Sequence, residues 1–303
     1  MGNILVNAFS FLLAIFLGFG MKRVGILKQA DGVTISKIIV YVTLPATIIN
    51  GVNGTRIGLM TLSLMGAGVL SNAVLIFAGY LFSAKMSKGN RGLMMFAVSG
   101  FNIGNFAIPF AQMFMPYAVA FLAMFDIGNA FMVTGATQII VDDALGESDK
   151  APPIIDVLRR LLRAPVFMVY LVMILLSLFQ LTIPESFLPP IRFLASANSF
   201  LPMFAIGLFL KIQLHKEGLA TVRKLLLTRF LATGTLAVMI YFLLPLPLFI
   251  RQVLVLVMLA PIGNLSIIQA VDFGSDEGTS GLASSVSIIL SLILMSIAVM
   301  LMI

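Results

Sequence analysis

Long apolar runs recur along the whole chain, each about 20 residues in length and each followed by a short polar connection. A bilayer core about 30 Å thick is crossed by roughly 20 helical residues rising 1.5 Å each. Hydrophobic residues make up 60% of the 303 positions and charged residues 10%, whereas soluble domains carry roughly 25% charged residues. Because such an excess of apolar side chains has to face lipid, the sequence predicts an all-α, multi-pass membrane protein.

Ten transmembrane helices are predicted, and they are numbered here as spans 1 to 10. They cover residues 3–21, 34–53, 58–83, 92–115, 117–140, 164–182, 191–212, 224–244, 251–273 and 279–303. Of the 19 Lys and Arg residues, this arrangement puts 16 on one side of the membrane, Arg229 among them, and leaves Arg56, Arg192 and Arg251 on the other. Basic residues near span ends stay cytoplasmic. We therefore expect a protein of the cytoplasmic (inner) membrane with both termini on the extracytoplasmic side.

Several classes of function are excluded by composition. The chain has no Cys, so disulfide frameworks, thiolate metal sites and Cys nucleophiles are ruled out. Its single His, His215, leaves no imidazole metal cluster. The net charge of +7 comes from residues scattered over short connections, which reflects membrane topology and not a nucleic-acid partner. No resident cofactor is predicted.

The longest connection, 141–163, divides the predicted spans into two sets of five. Residues 1–140 form a first repeat, 141–163 a cytoplasmic connecting loop, and 164–303 a second repeat. With an odd number of spans in each, the second repeat is inserted upside down relative to the first, as in inverted-repeat transporters.

Short motifs recur at equivalent places in the two halves. Span 2 contains Leu44-Pro45 and span 7 contains Leu201-Pro202. The fourth span of each half contains the same tripeptide, Ile103-Gly104-Asn105 in one and Ile262-Gly263-Asn264 in the other. Their positions in corresponding helices favour an internal repeat.

Spans 4 and 9 are predicted to be broken at mid-membrane, because each combines Gly, Asn and Pro within a few residues. A break creates half-helix N-termini whose free N–H groups and positive dipole ends suit a carboxylate. The alternative is a glycine packing face with a proline kink. The candidate substrate-binding residues are Asn102, Gly104, Asn105, Pro109, Pro261, Gly263 and Asn264.

Asp126 is an acidic residue deep inside span 5. Placing a charge there costs at least ~2.5 kcal/mol, so a functional role is the default interpretation. Counted from the turn at Pro116, Asn105 and Asp126 lie at about the same depth of ~15 Å and are expected to meet. Asn102, Asn105 and Asp126 could hold Na⁺ or a transported proton, whereas the alternative is a protonated Asp bonded to nearby backbone. The candidate ion-coupling residues are Asp126, Asn129 and Gln269.

A family resemblance is carried by four short segments in a fixed order: Leu44-Pro45-Ala46, 102–109, Leu201-Pro202 with Ala205-Ile206-Gly207, and 260–270. Over essentially its whole length the sequence resembles the auxin efflux carrier family, whose bacterial members are often described as malonate or malate permeases. The resemblance implies a fold similar to bile acid sodium symporters, with spans 4 and 9 crossing at their breaks. It also implies that spans 1, 2, 6 and 7 form a scaffold against which the other six move, and that Asn102 and Asn105 contact the substrate carboxylate.

The function predicted from the sequence is secondary active transport of small organic anions, such as malonate, malate or an auxin-like acid, by alternating access of the elevator type. Na⁺ or H⁺ is the candidate coupling ion, and a homodimer is left open. The alternatives are a sodium-coupled symporter of the bile acid type and a gated channel or membrane sensor. An enzyme is not expected, because Asp126 has no second carboxylate at its depth and serine or metal chemistry lacks a histidine.

Overall fold

The computed structural model describes residues 2–210 and 218–302, so His215, Lys211 and Lys216 lie outside the described residues. Within these two ranges the chain is helical, without a β-strand. The α-helices are α1 (Gly2–Arg23), α2 (Gln29–Ile38), α3 (Leu44–Val52), α4 (Leu59–Phe82), α5 (Lys88–Val98), α6 (Ile108–Phe114), α7 (Val119–Phe131), α8 (Thr137–Ala144), α9 (Ile154–Arg163), α10 (Pro165–Leu178), α11 (Leu188–Ser196), α12 (Leu201–Phe209), α13 (Leu219–Leu243), α14 (Leu248–Met258), α15 (Asn264–Asp272) and α16 (Glu277–Met302).

Short 3₁₀ and π-helical turns join several of these helices into longer rods. In the described part of the chain, seven such rods are long and apolar enough to cross a membrane: Val6–Arg23, Gln29–Val52, Leu59–Phe82, Pro116–Ala144, Glu185–Phe209, Leu219–Leu243 and Glu277–Met302. The pair α9 and α10, bent by 80°, provides an eighth if it is counted as one span. Over residues 2–210 and 218–302 the protein is therefore all-α, with seven or eight helices able to span a membrane.

Spans 4 and 9 of the predicted ten are not continuous helices, which is why the structure has fewer full-length rods than predicted. The first is divided into α5 and α6, and the second into α14 and α15. The longest of these pieces has 11 residues, or about 16 Å at 1.5 Å per residue, and cannot cross a 30 Å core alone.

Glycines allow the closest helix crossings. A Cβ on Gly68 of α4 would lie 2.4 Å from the carbonyl oxygen of Phe125 in α7, and one on Gly128 of α7 would lie 2.0 Å from that of Met65 in α4. Gly18 of α1 and α12 form a second such contact. Since lipid is as apolar as Leu, close backbone packing of this kind holds membrane helices together.

The helices pack most extensively within two groups. In one group α1 and α2 pack on α12, and α3 packs on α10 and α11. In the other, α4 packs on α5 and α7, α13 packs on α4, α14 and α16, and α15 packs on α5. The first group corresponds to predicted spans 1, 2, 6 and 7.

The connection 141–163, predicted as a loop, contains the two-turn-plus helix α9. Val157 and Leu161 of α9 are buried against the rest of the protein. A Cβ on Gly135 would lie 2.4 Å from the Val157 side chain, so the two residues are in close contact. The last ten residues of this connection therefore form a helix docked on the rest of the protein.

Candidate functional site

The breaks in the two interrupted spans meet each other. Phe101, which follows α5, and Ile262, which precedes α15, form an isolated antiparallel bridge between the two breaks. The bridge partly replaces the helical bonds that each break removes. Its two hydrogen bonds run from Asn102 N–H to the Pro261 carbonyl (3.0 Å) and from Gly263 N–H to the Gly100 carbonyl (3.0 Å).

Gly100 is required at this crossing for two reasons. Its φ of +22° lies in a region that side chains disfavour, and a Cβ would lie 1.8 Å from the hydroxyl oxygen of Ser266. A side chain at position 100 would therefore strain the backbone and displace Ser266.

Arg229 of α13 is fully buried at the crossing and binds the C-terminal ends of both half-helices. It also lies over the Phe101 ring, with the guanidinium carbon 5.2 Å from the centroid. Since helix C-termini carry free carbonyls and partial negative charge, the guanidinium satisfies and neutralises both ends at once. Nη1 donates to the carbonyls of Ala97 (2.8 Å), Val98 (3.0 Å), Ser99 and Gly100 (3.3 Å), and Nη2 to those of Ala260 (2.9 Å) and Pro261 (3.1 Å).

The prediction that Arg229 belongs to the cytoplasmic connections is wrong. It lies ten residues after the start of α13, about 15 Å along the helix axis, and is buried inside the protein. Counting basic residues by connection misplaces an Arg that lies inside a span. A lone Arg within an apolar run is the signal that could have identified it, because intramembrane charges mark functional or structural centres.

Asn129 of α7 clamps the other side of the crossing. Its Nδ2 donates to the Phe101 carbonyl (3.0 Å) while its Oδ1 accepts from the Phe101 N–H (3.1 Å), so the side-chain amide pairs with this residue as a peptide group would. Asn72 of α4 donates to the same Oδ1 at 3.3 Å. Asn129, a predicted ion-coupling residue, thus fixes the backbone of the break and also bonds Asp126.

Asp126, which is 8% exposed, is held by two side chains. Its Oδ1 accepts from Asn129 Nδ2 (2.9 Å), and its Oδ2 accepts from the hydroxyl of Tyr170 in α10 (2.8 Å). Tyr170 was not identified from the sequence, since nothing marks one Tyr of an apolar span. The bond between Asp126 and Tyr170 connects the two helix groups.

A cavity of about 360 Å³ lies beside the crossing. Asn102 is buried with its Nδ2 lacking a hydrogen-bond partner among the described residues, and the Oδ1 of half-buried Asn105 lacks one in the same sense. Oriented donors and acceptors without partners are typical of a ligand site. The polar residues lining the cavity are Asn102, Asn105, Asp126, Asn129, Thr134, Tyr170 and Asn264.

Seven of the predicted site residues line this cavity, including Gly104 and Gly263. Pro109 instead lies in the first turn of α6, and the Pro261 carbonyl is occupied by Asn102 and Arg229. Gln269 lines a separate cavity of about 190 Å³ with Asp142 and Asp272.

A larger cavity of about 530 Å³ also borders the start of α15. It is lined by Asn264, by Ser284 and Ser285 of α16, and by Asp272 and Glu277 near its end. Asn264 lines both cavities, so they adjoin each other at the start of α15. Ser287 of α16 accepts a hydrogen bond from the Ile262 N–H at 3.2 Å.

A comparison of the sequence with protein-family profiles finds no match, and a comparison with curated proteins finds none either.

Proposed function

We propose that this chain is a secondary active transporter that carries small mono- or dicarboxylates across the cytoplasmic membrane by alternating access. The observation that carries the proposal is the meeting of two broken spans beside a polar cavity of about 360 Å³. Broken helices in corresponding positions are the usual binding centre of such proteins. The cavity volume falls within the ~300–1,000 Å³ typical of small-molecule sites.

An anionic substrate is favoured by the polarity of the half-helices. Their C-terminal carbonyls are covered by Arg229, whereas the start of α15 and the turn Ile103–Ala107 border the cavity. Helix N-termini present N–H groups and partial positive charge. The free amide of Asn102 adds donors in the same place. The cavity therefore offers N–H donors to a substrate carboxylate, while the carbonyl oxygens that would repel it are already bonded to Arg229.

Asp126 is the proposed coupling residue. An ionised carboxylate and a carboxylate substrate in one small cavity repel each other strongly at low dielectric. Loading a cation with the substrate removes this repulsion, and either H⁺ on Asp126 or Na⁺ among Asn102, Asn105 and Asp126 would serve. Substrate binding is therefore expected to be linked to one of these ions.

The proposed architecture is ten spans in two inverted halves, with both termini outside and membership of the auxin efflux carrier family. Support comes from the crossing itself and from the Leu-Pro motifs, near which Thr43 donates to Asn198 Oδ1 at 3.0 Å across spans 2 and 7. The packing of spans 1, 2, 6 and 7 as one group is compatible with a fixed scaffold and a moving six-helix body.

The test begins with thermal stability of the purified protein against a panel of carboxylates, since ligands that bind the folded state raise its melting temperature. Asn102→Ala removes a cavity donor and is expected to weaken binding of the active ligand about tenfold or more. Asn198→Ala is the control, because Asn198 is equally buried but lies outside the cavity.

Counterflow in proteoliposomes then separates the alternatives. A carrier shows saturable uptake that is stimulated by substrate on the opposite side. Non-saturable flux would favour a channel, strict sodium dependence with bulky amphipathic anions would favour a bile-acid-type symporter, and binding without flux would favour a sensor. Each of these results would replace the proposed function.

A further inference from the structure

Helix α9, in the connection between the two predicted repeats, is strongly amphipathic. At 100° per residue its apolar side chains occupy an arc of roughly 160°, and its four charged side chains occupy the opposite arc. The apolar residues are Ile154, Ile155, Val157, Leu158, Leu161 and Leu162, and the charged residues are Asp156, Arg159, Arg160 and Arg163.

Only one edge of the apolar arc packs against the rest of the protein. Val157 and Leu161, at one edge, are buried. Of the rest, Ile155 is 57% exposed, Leu158 43% and Leu162 54%. These exposed side chains form one continuous stripe, a pattern that a soluble surface disfavours and that interfacial helices use to enter the acyl boundary.

The orientation of α9 fits a position on the membrane surface. It meets α10 at 80°, with Ala164 between them. Because α10 is apolar along its 14 residues, we place it in the bilayer, and a helix at a near right angle to it then lies close to the membrane plane. The exposed stripe then faces the acyl chains and the charged arc faces the headgroups.

The charged arc carries a net positive charge. Arg159 pairs with Asp156 at 2.9 Å. Arg160 and Arg163 are exposed and have no ion-pair partner within the described ranges. Basic residues at a membrane surface are attracted to anionic lipids by about fivefold each in binding.

We propose that α9 is an in-plane helix that binds anionic phospholipid headgroups through Arg160 and Arg163 while Ile155, Leu158 and Leu162 enter the acyl boundary. The same helix forms a wall of the crossing cavity, which Leu161 lines together with Ala164. A lipid that holds α9 therefore also fixes one wall of that cavity.

The absence of Cys allows a clean probe experiment on the full chain. Leu158→Cys, labelled with an environment-sensitive fluorophore, is reconstituted in vesicles containing either brominated phosphatidylglycerol or brominated phosphatidylcholine at equal fraction. Both lipids are expected to quench the probe, with phosphatidylglycerol about twofold or more stronger at low salt. Leu231→Cys, on the exposed middle of α13, is expected to show no such preference.

Substitution separates specific binding from general attraction. The double substitution Arg160→Gln with Arg163→Gln is expected to abolish the stronger quenching by phosphatidylglycerol at position 158. The control, Lys37→Gln with Lys85→Gln, makes an equal charge change at exposed sites and is expected to leave that preference in place. Absence of quenching by either lipid at position 158, or loss of the preference in both double variants, would overturn the proposal. Because no measurement involves transport, the outcome is independent of the proposed function.

Discussion

Arg229 offers the sharpest test of how the crossing is held together. Substitution by Met keeps an unbranched apolar chain of similar length but removes every donor. Gly100 and Pro261 retain bridge hydrogen bonds from the opposite break. Among the described residues, the carbonyls that then lack any donor are those of Ala97, Val98, Ser99 and Ala260.

The expected loss of stability in Arg229→Met follows from these four unsatisfied carbonyls. A buried acceptor left without a donor costs about 1–3 kcal/mol, so four cost ~4–12 kcal/mol. The lower end applies because Met, unlike Arg, carries no charge that must be stripped of water. Substitution by Lys offers three donors for the same four carbonyls and leaves at least one orphan, a loss of about 1–3 kcal/mol.

Thermal unfolding of the purified protein in detergent compares the stabilities of wild type, Arg229→Lys and Arg229→Met. At about 2–4 °C per kcal/mol, Arg229→Met is expected to melt at least ~8 °C below wild type, with Arg229→Lys between them. Arg251→Met is the control, because Arg251 donates to a single carbonyl, that of Tyr241 at 2.6 Å, and is only half-buried. A melting temperature of Arg229→Met within the range of Arg251→Met would refute the capping role.

Three further predictions concern packing, coupling and topology. Gly68→Ala places a Cβ 2.4 Å from the backbone of α7 and is expected to lower stability by about 1–3 kcal/mol in the same melting assay. The control is Gly66→Ala on the same helix, whose Cβ meets nothing within 4 Å and which should be neutral or stabilising. Asp126→Asn is expected to remove the dependence of proteoliposome uptake on a proton or sodium gradient, and unchanged ion dependence would rule out the coupling role. Single cysteines at the exposed positions Ser148 and Ser186 are expected to react with a membrane-impermeant thiol reagent from opposite sides of the membrane. Position 148 is expected to be labelled from the cytoplasmic side. Labelling of both positions from one side would contradict the predicted topology.

The two breaks could be located from the sequence because their cause is local. Gly100, Asn102 and Pro109 in one segment, and Pro261 and Gly263 in the other, disfavour a continuous helix whatever surrounds them. The depth of Asp126 could be estimated in the same way, since a helix rises by a fixed amount per residue. Seven predicted residues accordingly line one cavity.

The side chains that bind Asp126 and the break carbonyls could not be identified from local sequence patterns. Tyr170 is 44 residues from Asp126 and Arg229 is about 130 from Ser99, and no periodicity links positions so far apart. The type and depth of Asn129 predict a polar contact inside the membrane, but only the structure shows that this contact includes the Phe101 backbone. Chemistry of a side chain limits what it can bind, and its neighbours decide what it does bind.

By itself the sequence determined that this protein is a set of apolar helices with two interruptions, because backbone groups in lipid must bond within their own segment and Gly, Asn and Pro prevent that locally. Only the tertiary structure decided that the two interruptions bond to each other, that a buried Arg joins their carbonyl ends, and that a Tyr from another helix holds the buried carboxylate. The physical reason is that orphaned polar groups can be satisfied by any suitable donor that packing brings within about 3 Å, and packing depends on the whole fold.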